Sequence, residues 1–195
     1  MHHNARLRRE VYFDDIHLSW CIPLTSGVVS LVDCDDVPEL AQFNWYAAKG
    51  AQGWVAQRNS RGEDRRTILM HVAIMNPPMG LYVDHKVHRP HSDKIVDNRR
   101  TNLRICGMTE NQRNQRPKRR VGRTSIFKGV YWKMYGRGPA GRWIASISCN
   151  GKVIVIGRFK SEQEAAVAYD DAATRMFGEF ALTNKSLGLL NQASM

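Results

Sequence analysis

The sequence Leu81-Tyr82-Val83-Asp84-His85 is a short apolar run that ends in two polar residues, and it begins the stretch that decides the fold. A long polar loop follows, after which Leu103-Arg104-Ile105-Cys106 can form a returning strand. Thr109 has the side chain of a helix N-cap, and the predicted helix runs through Asn114 before Pro117 ends it. In this order of strand, loop, strand and helix, the end of the first strand and the start of the helix can face each other across one site.

The polar residues at these two places suit the hydrolysis of a phosphodiester. Asp84 and His85 end the strand, Asn102 precedes the return strand, and Asn111 lies in the helix. A histidine suits the base that takes a proton from water, and carboxylate and amide oxygens suit a hard divalent cation such as Mg²⁺. A further asparagine can hold the base in one orientation. The spacing is equally compatible with a capped turn beside a surface histidine, so the residues alone leave both interpretations open.

Three segments of this stretch resemble the HNH endonuclease family, in the branch found in phage and mobile-intron homing enzymes. They are Val83-Asp84-His85, Asp97-Asn98-Arg99-Arg100-Thr101-Asn102-Leu103-Arg104 and Glu110-Asn111-Gln112-Arg113-Asn114. Met70-His71 and Ile74-Met75 upstream are similar to the same branch. The resemblance implies a ββα-metal core, in which a β-hairpin and a helix surround one metal ion. That ion would be Mg²⁺ or another divalent cation such as Mn²⁺.

The resemblance also implies a role for each polar residue of the pattern. His85 would be the general base, Asp84 and Asn111 would be metal ligands, and Asn102 would position the base. Asn114 is a neighbouring candidate for the ligand position given to Asn111.

The loop between His85 and Asp97 departs from the family, because it is longer and lacks the usual glycine turn. His88 and His91 in this loop could line the site. Their spacing with His85 and Cys106 matches no zinc pattern, so a structural zinc ion is not expected.

The positive charge of the chain is concentrated in its middle. The formal net charge is +11, and residues 86–142 hold 16 Lys and Arg against 3 Asp and Glu, a net of +13. Such a belt of one sign indicates a polyanionic partner, and an amphipathic basic helix that would bind a membrane surface is absent from it. Eight arginines and lysines on or next to the predicted nuclease core are candidate DNA contacts: Arg99, Arg100, Arg104, Arg113, Arg116, Lys118, Arg119 and Arg120.

Residues 125–184 form a separate unit after a basic linker at 118–124, and residues 185–195 are a tail. Three β-rich runs come first, and Asn150-Gly151 predicts a tight hairpin turn between the last two. Ser161 and Glu164 form a capping box before an alanine-rich helix whose C-terminal cap is Gly178. The expected fold is a three-stranded antiparallel sheet packed on one helix.

This unit resembles the DNA-binding domain of plant ethylene-response factors, in Gly129-Val130-Tyr131-Trp132, Arg142-Trp143-Ile144, Gly157-Arg158-Phe159 and the helix from Glu164 to Ala173. The resemblance implies that the open face of the sheet lies in the major groove of DNA. Period-two alternation places Tyr131 and Lys133, Ser146 and Ser148, and Val153 and Val155 on that face. Candidate phosphate contacts are Lys128, Lys133, Arg137, Arg142, Lys152 and Arg158.

The sequence therefore predicts an α+β protein with a small β-rich unit at residues 1–68, an HNH nuclease core at 69–117 and the DNA-binding unit. The expected function is a homing-type endonuclease acting on double-stranded DNA, monomeric and intracellular, in the cytoplasm of a bacterial or phage-infected cell. No apolar run approaches the ~20 residues of a membrane helix. A non-catalytic DNA-binding regulator with a degenerate nuclease scaffold is the alternative, and an RNA-binding or RNA-cutting protein is a second one. The role of residues 1–68 stays open.

Overall fold

The computed structural model describes residues 9–50, 52–62, 65–89, 91–114, 122, 124–135, 141–149 and 151–190. The chain folds as a mixed α+β protein with two compact units, residues 1–111 and residues 112–195. Within the described residues, no helix is both long enough and apolar enough to cross a membrane.

Short strands arranged in three small sheets are the main regular secondary structure of the first unit. The strand orders are β1-β2-β3-β8, β4-β5-β6 and β7-β9. The strands are β1 (Tyr12–Asp14), β2 (Ser19–Pro23), β3 (Val29–Val32), β4 (Tyr46–Lys49), β5 (Trp54–Asn59), β6 (Thr67–Leu69), β7 (Tyr82–His85), β8 (Ile95–Asp97) and β9 (Leu103–Cys106). The helices are α1 (Val37–Leu40), α2 (Met70–Met75) and α3 (Met108–Arg113), the last of which crosses the division between the units.

One hydrophobic core joins residues from both sides of position 68, where the sequence places a domain boundary. Val28 and Trp45 from the N-terminal part pack in the same buried cluster as Met70, Val83 and Leu103. The first 68 residues therefore share one core with residues 69–111, and both parts belong to the first compact unit.

Strand β8 lies inside the segment that the sequence predicts to be a long polar loop. It pairs in parallel with β3, with Val29 opposite Ile95 and Leu31 opposite Asp97. The backbone N–H of Asn98 then donates to the carbonyl of Leu31 at 2.9 Å. Three residues are too few to show a period, and the partner strand is distant in sequence, so local signals do not reveal this strand.

The predicted hairpin and helix are present. Strands β7 and β9 pair antiparallel, which places Asp84 opposite Arg104 and His85 opposite Leu103. The segment 68–75 contains the end of β6 followed by α2. Strands β1 and β2 were not predicted.

The second unit contains β10 (Val130–Met134), β11 (Gly141–Cys149), β12 (Lys152–Phe159) and α4 (Glu162–Phe177). The three strands form an antiparallel sheet in the order β10-β11-β12, and α4 packs on one face of it. The predicted capping box of Ser161 and Glu164 is confirmed. Alanines of α4 are buried against the sheet, and Gly129, with a φ of 74°, is required because a Cβ there would lie 2.0 Å from the Tyr169 ring.

Candidate active site and nucleic-acid interface

The imidazole of His85 stands at the end of a chain of buried hydrogen bonds. Its Nε2 donates to Oδ1 of Asn98 at 2.8 Å, and Nδ2 of Asn98 donates to Oγ of Ser30 at 3.0 Å. The Ser30 hydroxyl in turn donates to the sulfur of Met70 at 3.2 Å. Asn98 and Ser30 have no exposed surface. Strand β3 and its parallel partner β8 thus fix the orientation of the histidine.

The hydrogen bond to Asn98 decides the tautomer of the His85 ring. Because a carbonyl oxygen can only accept, Nε2 carries the hydrogen, and the lone pair of the neutral ring lies on Nδ1. Burial lowers the pKa of His85 below its usual value, and this outweighs the opposing effects of Asn98, Asp84 and Asp97. The neutral form of the ring is therefore favoured at pH 7, with its lone pair on Nδ1.

Asp84 is buried and paired with a cation. Its Oδ2 accepts from Nη2 of Arg104 at 2.8 Å and from Nε at 3.2 Å. Its Oδ1 lies 3.8 Å from Nε2 of His88, in the long loop. Because both members of the Asp84–Arg104 pair are almost fully buried, removing either charge alone would leave the other uncompensated. The predicted metal ligand thus has a guanidinium as its partner in the structure.

The side chain of Asn102 holds the backbone of the loop. Its Oδ1 accepts from the N–H of Val87 at 3.0 Å, and its Nδ2 donates to the carbonyls of Val87 at 3.1 Å and Asp97 at 2.9 Å. This amide ties the end of β7 to the end of β8. The structure therefore places Asn98 on the His85 imidazole, whereas Asn102 bonds the backbone two residues after His85. The positioning role of Asn102 stays a prediction.

Asn111 lies half-buried in α3, the helix that follows β9. Its backbone N–H donates to the carbonyl of Gly107 at 3.0 Å, and the carboxylate of Glu110 accepts from the Gly107 N–H at 2.8 Å. Asn114 is buried. Among the described residues, no group of three or more His, Cys, Asp or Glu side chains is arranged to hold a metal ion. A metal site here would depend on amide, water and phosphate oxygens beside Asp84.

His71, in α2, packs against His85. The His71 and His85 rings meet edge to face with 4.9 Å between centroids, and the His85 and His88 centroids lie 5.7 Å apart. His71 is buried, and its Nδ1 has no hydrogen-bond partner within the described part of the chain. Burial, together with the two neighbouring histidines, lowers the pKa of His71 to about 3.

The buried neutral His71 makes the stability of the protein depend on pH. Its folded-state pKa lies below the unfolded value of 6.5, so the unfolded chain binds the proton first as the pH falls. The stability linked to His71 is complete above about pH 6.5 and declines toward pH 3, with a loss of about 2 kcal/mol at pH 5. We expect the free energy of unfolding, measured with urea, to fall between pH 7.5 and pH 5 by about 2 kcal/mol less in His71→Phe than in the wild type. His17→Ala is the control, because His17 is partly exposed. Equal declines in the free energy of unfolding of the wild type and His71→Phe would contradict the expectation.

A small cavity opens beside His85. The β4–β5 turn closes one side with Gly53 and Trp54, and the long loop closes the other with His88 and Arg89. The two walls meet closely, since a Cβ on Gly53 would lie 2.5 Å from the carbonyl oxygen of Arg89. The Arg89 guanidinium is 3.9 Å from Asp93, a loose ion pair. No pattern in the sequence marks Trp54 or Arg89 as wall residues. The side chain of His91 lies outside the described residues.

Three arginines predicted to contact DNA are instead engaged by carboxylates. Arg99 donates twice to Asp97, at 2.6 and 2.8 Å. Arg100 donates to Asp36 at 2.6 and 3.1 Å and to the carbonyl of Ile74 at 3.0 Å, while Arg104 is buried with Asp84. In the structure, each of these three positive charges is therefore paired with a carboxylate, and their role as phosphate contacts stays a prediction.

Lys128 and Arg113 of the second unit also have internal partners. The ammonium group of Lys128 donates to the carbonyl of Arg113 at 2.6 Å, and burial lowers its pKa to about 8. The Arg113 guanidinium lies 4.4 Å from the centroid of the Phe177 ring. The Lys128 ammonium group is therefore partly buried against Arg113, and its role as a phosphate contact stays a prediction.

The remaining candidate DNA contacts among the described residues lie on the sheet of the second unit. Tyr131, Lys133, Arg142, Ser148, Val153, Val155, Lys152 and Arg158 are exposed, and Ser146 is half-buried. The register puts Lys152 opposite Cys149, on the side of the helix. Arg116, Lys118, Arg119, Arg120 and Arg137 lie outside the described residues, as does Asn150 of the predicted turn.

Comparison with known proteins gives one informative similarity. No protein-family model matches the chain, and no solved structure matches it. None of the comparisons supports the resemblance of residues 125–184 to ethylene-response factors. The chain is 27% identical over 159 residues, 82% of its own length and 76% of the relative, to a protein of Acanthamoeba polyphaga mimivirus named uncharacterized HNH endonuclease L560. This similarity supports the HNH nuclease resemblance of the segment that carries His85.

Proposed function

We propose that the protein is a homing-type HNH endonuclease that hydrolyses or nicks phosphodiester bonds in double-stranded DNA, with His85 as the general base. The observation that carries the proposal is the buried chain from His85 through Asn98 to Ser30. A surface histidine beside a capped turn needs no such support. A histidine whose tautomer and orientation are fixed, and which lines a cavity, has what proton transfer requires.

In the proposed reaction, Nδ1 of His85 removes a proton from a water molecule as its oxygen attacks phosphorus. The bond between phosphorus and the leaving oxygen breaks, and that oxygen takes a proton from solvent. Asn98 keeps the Nε2–H tautomer throughout, and it stabilises the imidazolium that forms because its carbonyl accepts the Nε2 hydrogen. Arg89, on the cavity wall, supplies positive charge for a phosphate oxygen.

The donors beside His85 fit a hard divalent cation held by few protein ligands, Mg²⁺ or Mn²⁺. Asp84 would give a carboxylate oxygen and Asn111 an amide oxygen, with solvent completing the shell. Such a cation would stabilise charge on the phosphate and on the leaving oxygen. Because Arg104 neutralises Asp84 in the structure, a cation there must share the carboxylate with the guanidinium.

The second unit would hold the DNA. Its exposed Lys133, Arg142 and Arg158 lie on one sheet face and can contact backbone phosphates. This assignment follows the resemblance of the unit to plant DNA-binding domains and the concentration of positive charge in residues 86–142.

One observation favours the second candidate, a DNA-binding regulator whose nuclease-like unit is only a scaffold. The buried Asp84–Arg104 ion pair is complete without a metal ion. In that case the protein would bind duplex DNA and leave every phosphodiester intact.

Nicking of supercoiled plasmid separates the two candidates. We expect nicks with Mg²⁺ or Mn²⁺ and none with EDTA, while retention of labelled duplex DNA persists in EDTA. Binding without nicking in either metal would support the regulator. Preferential cleavage of RNA at equal concentration would contradict DNA as the substrate.

A further inference from the structure

The sheet face turned away from α4, called here the open face, divides into a basic end and an apolar end. Cross-strand register assigns its residues: Tyr131, Lys133, Arg142, Ile144, Ser146, Ser148, Val153, Val155 and Arg158. The opposite face holds Val130, Ala145 and Ile147, which are buried against the helix.

The basic end has like charges side by side. Lys133 lies directly opposite Arg142, and Arg158 lies opposite Ile144, the next open-face position on β11. Strands β10, β11 and β12 contain no Asp or Glu. Like charges directly opposite each other destabilise a sheet, so an anionic ligand laid across this end would relieve the repulsion.

The apolar end has exposed branched side chains. Val153 is 67% exposed and Val155 is 56% exposed. Their cross-strand neighbours are Ser148 and Ser146, the only hydroxyl groups on the open face apart from Tyr131. A valine side chain has no hydrogen-bonding atom, so it cannot distinguish bases by their donors and acceptors. The one feature of a major-groove base edge that it can recognise is a methyl group at C5 of a pyrimidine, which thymine carries.

The ligand that suits both ends of the open face is a polyanion whose phosphates reach the basic end while its methyl groups, at a fixed distance, reach the apolar end. Duplex DNA does so, and its major groove admits a β-ribbon. RNA lacks the methyl group, and an acidic protein has no regular relation between its charges and its apolar groups.

We propose that the open face selects duplex DNA containing thymine-rich steps, with Val153 and Val155 packed against thymine methyl groups while Lys133, Arg142 and Arg158 contact phosphates. This inference rests on the proposed function in taking DNA as the partner. It adds that the chain recognises a base-edge methyl group by apolar contact.

The test uses the full chain in EDTA, so that cleavage does not consume the ligand. A randomised duplex library is selected for binding, and the best ligand is synthesised twice, once with thymine and once with deoxyuridine at every thymine. The only change is the loss of C5 methyl groups. We expect thymine steps among the selected sequences and about 3- to 10-fold weaker binding of the uracil duplex for each pair of methyl groups contacted.

Val155→Thr should reduce the preference for thymine over uracil, because it replaces one methyl group by a hydroxyl and keeps the β-branch. Ile154→Thr is the matched control: it lies next to Val155 on the same strand and is exposed, but it pairs with Ile147 on the helix side. It should leave the preference unchanged, and circular dichroism checks that both variants fold.

Equal affinity for the two duplexes, or equal effects of the two variants, would overturn the inference. If no duplex binds, the proposed function fails with it. Tight binding without a preference for thymine contradicts only the inference. Self-association of the chain that Val155→Thr abolishes and that DNA does not reverse would mean that the apolar end is a protein contact, which also overturns it.

Discussion

Replacing His85 by alanine should lower the rate of plasmid nicking by about 10²- to 10⁴-fold, the usual contribution of a general base. Affinity for duplex DNA should change less than about 2-fold, because the proposed DNA contacts lie on the second unit. The substitution leaves Asn98 hydrogen-bonded to Ser30, so the fold should persist. Single-turnover nicking and filter binding measure the two quantities on the same preparation.

Imidazole added to His85→Ala provides a further readout. Where the missing group is a base, free imidazole that enters the cavity should restore part of the rate in proportion to its concentration. His17→Ala is the matched control, since His17 is partly exposed and is hydrogen-bonded to Asp14 at 2.6 Å. An equal loss of DNA binding and of cleavage in His85→Ala would mean that His85 is structural.

Asn98→Ala should have the second largest effect, because it removes the acceptor of Nε2 and the donor to Ser30 together. Displacing a reacting group by about 1 Å can cost roughly 10² in rate, and we expect a loss of that size in nicking. Two buried polar groups lose a partner, so the free energy of unfolding should fall by about 1–3 kcal/mol. Nicking rates and urea unfolding test these two effects separately.

A readout at His85 itself distinguishes positioning from a general loss of stability. Nitrogen NMR reports which ring nitrogen carries the hydrogen, and Asn98→Ala should reduce the preference for the Nε2–H tautomer. Unchanged tautomer populations together with a reduced rate would contradict the positioning role.

Asn102→Ala is the matched control for Asn98→Ala. Its side chain holds the backbone at Val87 and Asp97, so the variant should lose stability while His85 keeps its partner. A loss of rate in Asn102→Ala at unchanged stability and tautomer would restore the assignment that the HNH resemblance implies for Asn102.

The hairpin, the following helix and the second unit could be predicted from the sequence because their signals are local. The apolar run of β7 and the return strand β9 each occupy a few consecutive residues. The predicted N-cap, Thr109, was wrong, because it lies inside α3, which begins at Met108. The capping box of Ser161 and Glu164 is an interaction across one helical turn. The hydrophobic period and the helix caps depend on residues that are close in the chain, so both can be predicted without knowledge of the fold.

The chemistry of the candidate site was predictable only as far as its residue types. The pair Asp84 and His85 stands out at a strand end, and the chain is similar to a viral protein named as an uncharacterized HNH endonuclease. Which asparagine contacts His85 depends on the parallel pairing of β8 with β3, two strands more than sixty residues apart. No local pattern encodes that contact.

The sequence by itself determined that a strand–loop–strand–helix unit carries the acid–histidine pair, and that the excess positive charge lies in residues 86–142. Only the tertiary structure decided that Asn98 is hydrogen-bonded to His85 and that Arg99, Arg100 and Arg104 are held by carboxylates. The reason is physical: a residue's type fixes which bonds it can form, whereas its partner is fixed by which distant segments the hydrophobic core brings together.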